Sequence, residues 1–149
     1  MERREQQYGA ATARDLKLLV VLERCAQSVR SRLLPHVENA GLTLAQFSVL
    51  ELLYHRGPMT VNGVIEKRLS SSGNIGVIID NLIKEDWVEK RVDDSDGRVR
   101  YVSLTKTGEM KISNYFPNHA AEVTKSFAEL TIDEKERLTF LLKKLGRSV

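Results

Sequence analysis

The stretch LSSSGNIGVIIDNLIKEDWVEKRVDDSDGRVRYVSLTKTG, residues 69–108, contains the change of period that decides the architecture. In its first half Ile75, Ile78, Ile79, Leu82 and Ile83 recur three or four apart, which places them on one buried helical face over about residues 73–85. Ser70-Ser71-Ser72 ahead of it interrupts any earlier helix and offers a hydroxyl cap. Behind it the period drops to two. Residues 87–92 and 100–104 alternate in strand fashion, and the Asp93-Asp94-Ser95-Asp96-Gly97-Arg98 run between them is rich in turn formers. The reading is a helix followed by a β-hairpin with an extended tip.

Upstream, Thr60 opens a short helix carrying Val61, Val64, Ile65 and Leu69, whose internal Gly63 makes it dependent on packing. Thr43-Leu44-Ala45-Gln46 is a capping box, and Phe47, Leu50, Leu53 and Tyr54 follow it at helical spacing. Gly57 and Pro58 end that helix. Before it, Leu16, Leu19, Val20, Cys25, Val29, Leu33 and Val37 share one face of a long helix over about residues 12–38. Pro35 is expected to kink or end it. A helix of that length exceeds what a small core needs and suggests an arm or a subunit interface.

Downstream, Met110, Ile112, Phe116, Val123 and Phe127 resume the helical period, with a kink expected at Pro117. Thr131-Ile132-Asp133-Glu134 caps a last helix bearing Leu138, Leu141, Leu142 and Leu145, which Gly146 ends.

Composition narrows the function. The chain has 149 residues, 42% of them apolar, which suits one domain with a real core. No apolar run approaches the roughly 18 residues of a membrane span. The polar start carries no apolar signal segment, and one cysteine forms no internal disulfide. The expected setting is the cytoplasm, with no membrane partner. Neither a nucleophile with a base at useful spacing, nor a phosphate-cradling glycine loop, nor a metal cluster is present, so an enzyme is not expected. His36, His55 and His119 match no helical metal pair, so no metal and no cofactor are expected either.

Three helices followed by a hairpin is the order of a winged helix-turn-helix. A helix fits the major groove and reads base edges there. Small polar residues at its N-terminus meet phosphates with hydroxyls and free amides. Ser71, Ser72, Gly73 and Asn74 fit that description. An arginine at a hairpin tip suits a narrow minor groove, and Arg98 occupies such a tip.

The sequence strongly resembles the MarR family of bacterial transcription regulators over nearly the whole chain. The most specific segments are Ser71-Ser72-Gly73-Asn74-Ile75, Ile79-Asp80-Asn81-Leu82, Trp87-Val88-Glu89-Lys90-Arg91, the hairpin tip, and Leu104-Thr105-Lys106-Thr107-Gly108. The resemblance implies a mainly α winged helix-turn-helix fold with a small β-hairpin wing. In such a single domain, residues 43–104 form the DNA lobe, and residues 12–39 and 106–147 form dimerisation helices.

It also implies a homodimer that binds double-stranded DNA at a pseudo-palindromic operator, acts as a repressor, and is released by a small aromatic or phenolic effector. Ser71, Ser72, Gly73 and Asn74 would meet the major groove, with Val77 and Asn81 further along the same face. Asp96 would orient Arg98. Two positions depart from the family pattern. Aspartate stands at 86 where glycine usually ends the recognition helix, and Gly76 replaces a frequent threonine.

Arg32, His36 and Tyr54 are candidates to line an effector crevice, or are ordinary interface residues. Cys25 raises redox sensing as an alternative function. Its place on the apolar stripe favours an inert residue, and Val20 stands where sensing relatives carry their cysteine. A winged-helix adaptor that binds protein rather than DNA is the other alternative. Charge does not separate them: residues 60–104 contain seven Lys or Arg against eight Asp or Glu, so the excess behind the net +3 lies in the outer helices.

Overall fold

The structure is a computed structural model that describes residues 9–67, 74–92, 96 and 99–146. Helix α1 spans Ala10–Asn39, α2 spans Leu44–Arg56, and a two-residue strand β1 covers Met59–Thr60. Helix α3 is Val61–Lys67 and α4 is Ile75–Lys84. Strands β2 (Val88–Val92) and β3 (Arg100–Leu104) form the hairpin, and α5 (Lys106–Ser126) and α6 (Ile132–Gly146) complete the chain.

The core sits where α2, α4 and the sheet meet. Leu50, Val64, Ile79, Leu82, Val88, Val102 and Ile112 are fully shielded there. Ile75, Ile78, Ile79 and Leu82 form the buried stripe of α4, as their spacing requires. Ile83, expected in that stripe, is 36% exposed. It lies one residue beyond Leu82, roughly 100° round the helix from it.

The sheet order is β1-β3-β2, all antiparallel, with Val88 opposite Leu104 and Met59 opposite Val102. Strand β1 was not expected from the sequence. Two residues are too short to display an alternating period, and Thr60 looks like a helix start because it also acts as one: its hydroxyl accepts the Gly63 amide at 3.0 Å.

Both expected capping boxes form. The Gln46 amide donates to Thr43 Oγ1 at 3.2 Å while the Thr43 amide donates to Gln46 Oε1 at 2.9 Å. Thr131 and Glu134 repeat the exchange. The serine cap expected for α4 is replaced by Asn74, whose Oδ1 accepts the Gly76 amide at 2.9 Å.

Neither inner proline ends its helix. Pro35 lies within α1 and Pro117 within α5. The last turn of α1 is held after Pro35 by Val37, which is completely buried. Tertiary burial there outweighs the lost amide donor.

The two ends of the chain present apolar surface. Leu16, Leu19 and Val20 on α1 are 45–51% exposed, and α6 buries no residue in the single chain. Cys25, placed on a buried stripe by its spacing, is likewise exposed. The stripe is real as a pattern, but this chain alone does not cover it.

Candidate nucleic-acid interface and effector cavity

Helix α4 turns its buried stripe inward and presents Asn74, Val77, Asp80, Asn81 and Lys84 to solvent. Offsets of three and four put these side chains along one side of the helix. Their surroundings differ. Asn74 is committed through its oxygen to the cap. Asp80 is tied to the hairpin by Lys90, whose Nζ donates to Asp80 Oδ1 at 2.7 Å. Val77 is 54% exposed, more than any other branched residue of its helix, of which Ile83 at 36% comes next.

The end of α4 is set by Asp86, the one non-glycine residue among those described with positive φ, at 56°. Its amide donates to Ile83 O and the Trp87 amide donates to Leu82 O, each at 3.0 Å, which is the paired bonding of a Schellman end. Aspartate thus adopts the left-handed conformation that glycine would adopt more cheaply. The Asp86 carboxylate compensates by accepting from Thr107 Oγ1 at 3.2 Å.

The start of α5 closes against the same corner. Thr105 Oγ1 donates to Asp86 O at 2.5 Å and accepts the Gly108 amide at 3.0 Å. A Cβ on Gly108 would stand 1.9 Å from the Trp87 carbonyl oxygen, so only glycine permits this approach. The Thr105…Gly108 motif is therefore a joint that fixes α4 and the hairpin onto the long helix α5.

Of the expected DNA contacts, Asn74, Val77 and Asn81 share the exposed side of α4, and Asp96 is exposed between β2 and β3 with its carbonyl accepting the Val99 amide at 2.9 Å. Ser71, Ser72, Gly73 and Arg98 lie outside the described residues.

A cavity of about 610 Å³ opens between α1 and α5, lined by His36, Asn39, Lys111, Asn114, Tyr115 and Glu122 among others. His36 is the one expected effector residue on its wall, and it faces Glu122 at 3.4 Å. Arg32 and Tyr54 are not among the lining residues. Arg32 donates to Ser28 Oγ at 3.2 Å, and the Tyr54 ring packs near His55 and Phe116. The sequence reading therefore shares one residue, His36, with this cavity, to which α5 contributes most of the lining.

Behind that cavity lies a group that sequence reasoning did not single out. Phe47 and Glu51 on α2 meet Tyr115 and His119 on α5: the Phe47 and His119 rings are 4.5 Å apart, and His119 Nε2 lies 3.9 Å from Glu51 Oε1. The signal was available, since Glu51 follows Phe47 by one helical turn and therefore falls on its buried side. Desolvation raises the Glu51 carboxyl above the usual carboxylate range, partly offset by His55. Burial, with His36 as a second cause, holds His119 below the ordinary histidine value. The Tyr115 hydroxyl and His119 Nδ1 are buried without a hydrogen-bond partner.

Among the described residues no group of three His, Cys, Asp or Glu side chains is arranged to hold a metal, and no helix is long and apolar enough to cross a membrane.

The sequence profile of the MarR family matches residues 40–99. The HTH-type transcriptional regulator MhqR of Bacillus subtilis is 33% identical over 135 residues, covering 91% of this chain and 93% of that one. A cysteine-to-serine variant of MarR from Escherichia coli, solved in complex with operator DNA, is similar with a TM-score of 0.75 at 24% identity, over 89% of this chain and 95% of that one. BpsR of Bordetella bronchiseptica, whose structure concerns regulation of DNA binding by 6-hydroxynicotinic acid, gives a TM-score of 0.76 at 24% identity, over 87% and 98%. These relatives are regulators rather than enzymes. The chain belongs to the MarR family of DNA-binding winged-helix transcription regulators.

Proposed function

We propose that the protein is a cytoplasmic homodimeric repressor that binds a pseudo-palindromic operator and is released by a small aromatic or phenolic ligand. The observation that carries this reading is the pairing of an exposed α4 face with terminal helices whose apolar residues remain about half exposed among the described residues. Leu138, Leu141, Leu142 and Leu145 on α6 are 39–50% exposed, at the spacing of a helix–helix seam. Joining α1 and α6 across a two-fold axis buries those faces and sets two copies of α4 side by side. Half-sites about one DNA turn apart match that arrangement.

The cavity between α1 and α5 supports ligand control. Lys111 lines it and also stands 4.8 Å over the Trp87 ring, next to the Asp86 corner that ends α4. An occupant contacting Lys111 is thus one side chain away from the recognition helix. Asn114 and Asn118 offer further polar groups to a phenol or carboxylate. Release requires that the ligand bind the DNA-incompetent spacing of the two lobes better than the competent one. BpsR, a regulator of the same fold, has its DNA binding regulated by an aromatic hydroxy acid, which favours this ligand class.

The test is fluorescence anisotropy of a labelled duplex, selected from genomic fragments, titrated with hydroxybenzoates and hydroquinones. A several-fold loss of affinity with at least one compound, reduced in Lys111→Ala, is expected. Unchanged affinity with all of them rejects the ligand arm. Sedimentation of wild type and Leu141→Glu tests the dimer arm, with a monomeric wild type rejecting it.

A further inference from the structure

Val77 is out of keeping with its helix. The four aliphatic residues of the inward stripe are at most 9% exposed and Ile83 beside it 36%, whereas Val77 is 54% exposed in the middle of a polar row. The polar side chains on either side are held elsewhere. Asn74 folds back to cap the Gly76 amide at 2.9 Å, and Asp80 is held by Lys90 of β2 at 2.7 Å. Gly76, immediately before Val77, carries no side chain. The two Val77 methyl groups therefore stand clear on the side of α4 that faces away from the core.

Valine in a helix keeps essentially one χ1 rotamer, so these methyl groups are ordered before any partner arrives. They can neither donate nor accept a hydrogen bond. In the major groove the apolar feature of a base edge is the C5-methyl group of thymine.

We propose that Val77 is a specificity-determining residue that reads the C5-methyl group of one thymine in each operator half-site. The inference rests on α4 being the helix that enters the major groove. The Asp80–Lys90 pair serves the same contact: Lys90 offsets the charge of Asp80, one helical turn from Val77, which would otherwise repel the phosphates as the helix approaches. Neighbouring Asn81, exposed on the same side, is of the residue type that pairs with adenine N6 and N7.

The experiment replaces thymines by deoxyuridine, which removes one methyl group and leaves base pairing intact. A duplex is first selected by the wild-type protein from a pool with a randomised centre. Each thymine is then exchanged singly, and wild type and Val77→Ala are titrated against the series. Alanine is well tolerated in helices, and thermal melting of the variant checks its fold. The expected result is one thymine per half-site whose exchange weakens wild-type binding about fourfold, the value of burying one methyl group. At that position Val77→Ala does not discriminate.

A wild-type scan with no sensitive thymine overturns the proposal without reference to any variant. So does a sensitive thymine whose penalty persists undiminished in Val77→Ala. Both results leave the selected duplex bound and the reading of α4 intact. Failure to select any sequence overturns that reading itself, and the inference with it.

Discussion

Thr105 and Asp86 lie 19 positions apart and meet at the corner of the DNA lobe, where the Thr105 hydroxyl donates to the Asp86 carbonyl oxygen at 2.5 Å. That bond joins the end of the recognition helix to the start of the long helix α5. The start of α5 and the end of α4 are therefore tied by a short hydrogen bond.

Gly108→Ala is the first test of that corner. Its new Cβ would overlap the Trp87 carbonyl, and backbone cannot move aside as a flexible side chain can. A loss of about 2–3 kcal/mol in urea unfolding is expected, in the upper range for overpacking. A change below about 0.5 kcal/mol would mean that the close approach is not required.

Asp86 separates backbone strain from side-chain bonding. Asp86→Gly relieves the left-handed conformation and loses the Thr107 contact, so its unfolding free energy should stay within about 0.5 kcal/mol of wild type. Asp86→Val places a β-branched residue at φ 56° and should cost about 2 kcal/mol. Equal effects of the two substitutions in the same denaturation assay would refute the assignment.

Asn74 caps α4 through its oxygen, and two variants test whether its amide nitrogen also reads DNA. Asn74→Ala removes the cap on Gly76 and should lower stability by about 1 kcal/mol in addition to altering operator preference. Asn74→Ser retains a capping oxygen, so it should preserve stability while still altering the preferred sequence. A selected sequence that is the same for wild type and Asn74→Ser would remove Asn74 from the base-reading set.

The sequence made the lobe legible because its signals are local. Capping boxes at Thr43 and Thr131 and the shift of period after Ile83 each lie within a few residues, and all of them formed. What it hid was long-range. Pro35 reads locally as a kink or an end of α1, because propensity counts a missing donor and not the burial of Val37, yet the helix runs on through it. The cavity between α1 and α5 was hidden for the same reason: His36 is a local candidate, but Lys111, Asn114 and Tyr115 join it only once α5 folds back on α1. The reason for the Thr105…Gly108 motif, a glycine under a backbone carbonyl, is visible only in three dimensions.

His119 gives stability a pH dependence whose sign follows from its position. Burial and His36 keep its folded pKa below the ordinary value of about 6.5, and it faces Glu51 and Tyr115 as well. The unfolded chain therefore takes up the proton first. This contribution to stability is intact above about pH 6.5 and declines as pH falls through that value towards the folded pKa, below which it levels off. Glu51, whose pKa is raised by burial, acts in the opposite direction at lower pH. Urea unfolding at pH 7.5 and 5.5 should show a smaller acid loss for His119→Phe than for wild type. An equal or larger loss in the variant would contradict the assignment.

The central claim is that the lobe reads DNA sequence through α4 and the wing rather than binding polyanions in general, and charge makes this testable. With seven basic against eight acidic residues in positions 60–104, non-specific affinity has few charges to release counterions. The direct measurement is the ratio of affinities for the selected duplex and a shuffled duplex of equal length at about 150 mM salt, for wild type and Arg98→Ala. The account predicts a wild-type ratio of at least about 10³ and a several-fold or greater loss of specific affinity in Arg98→Ala. Equal wild-type affinity for the two duplexes would contradict it.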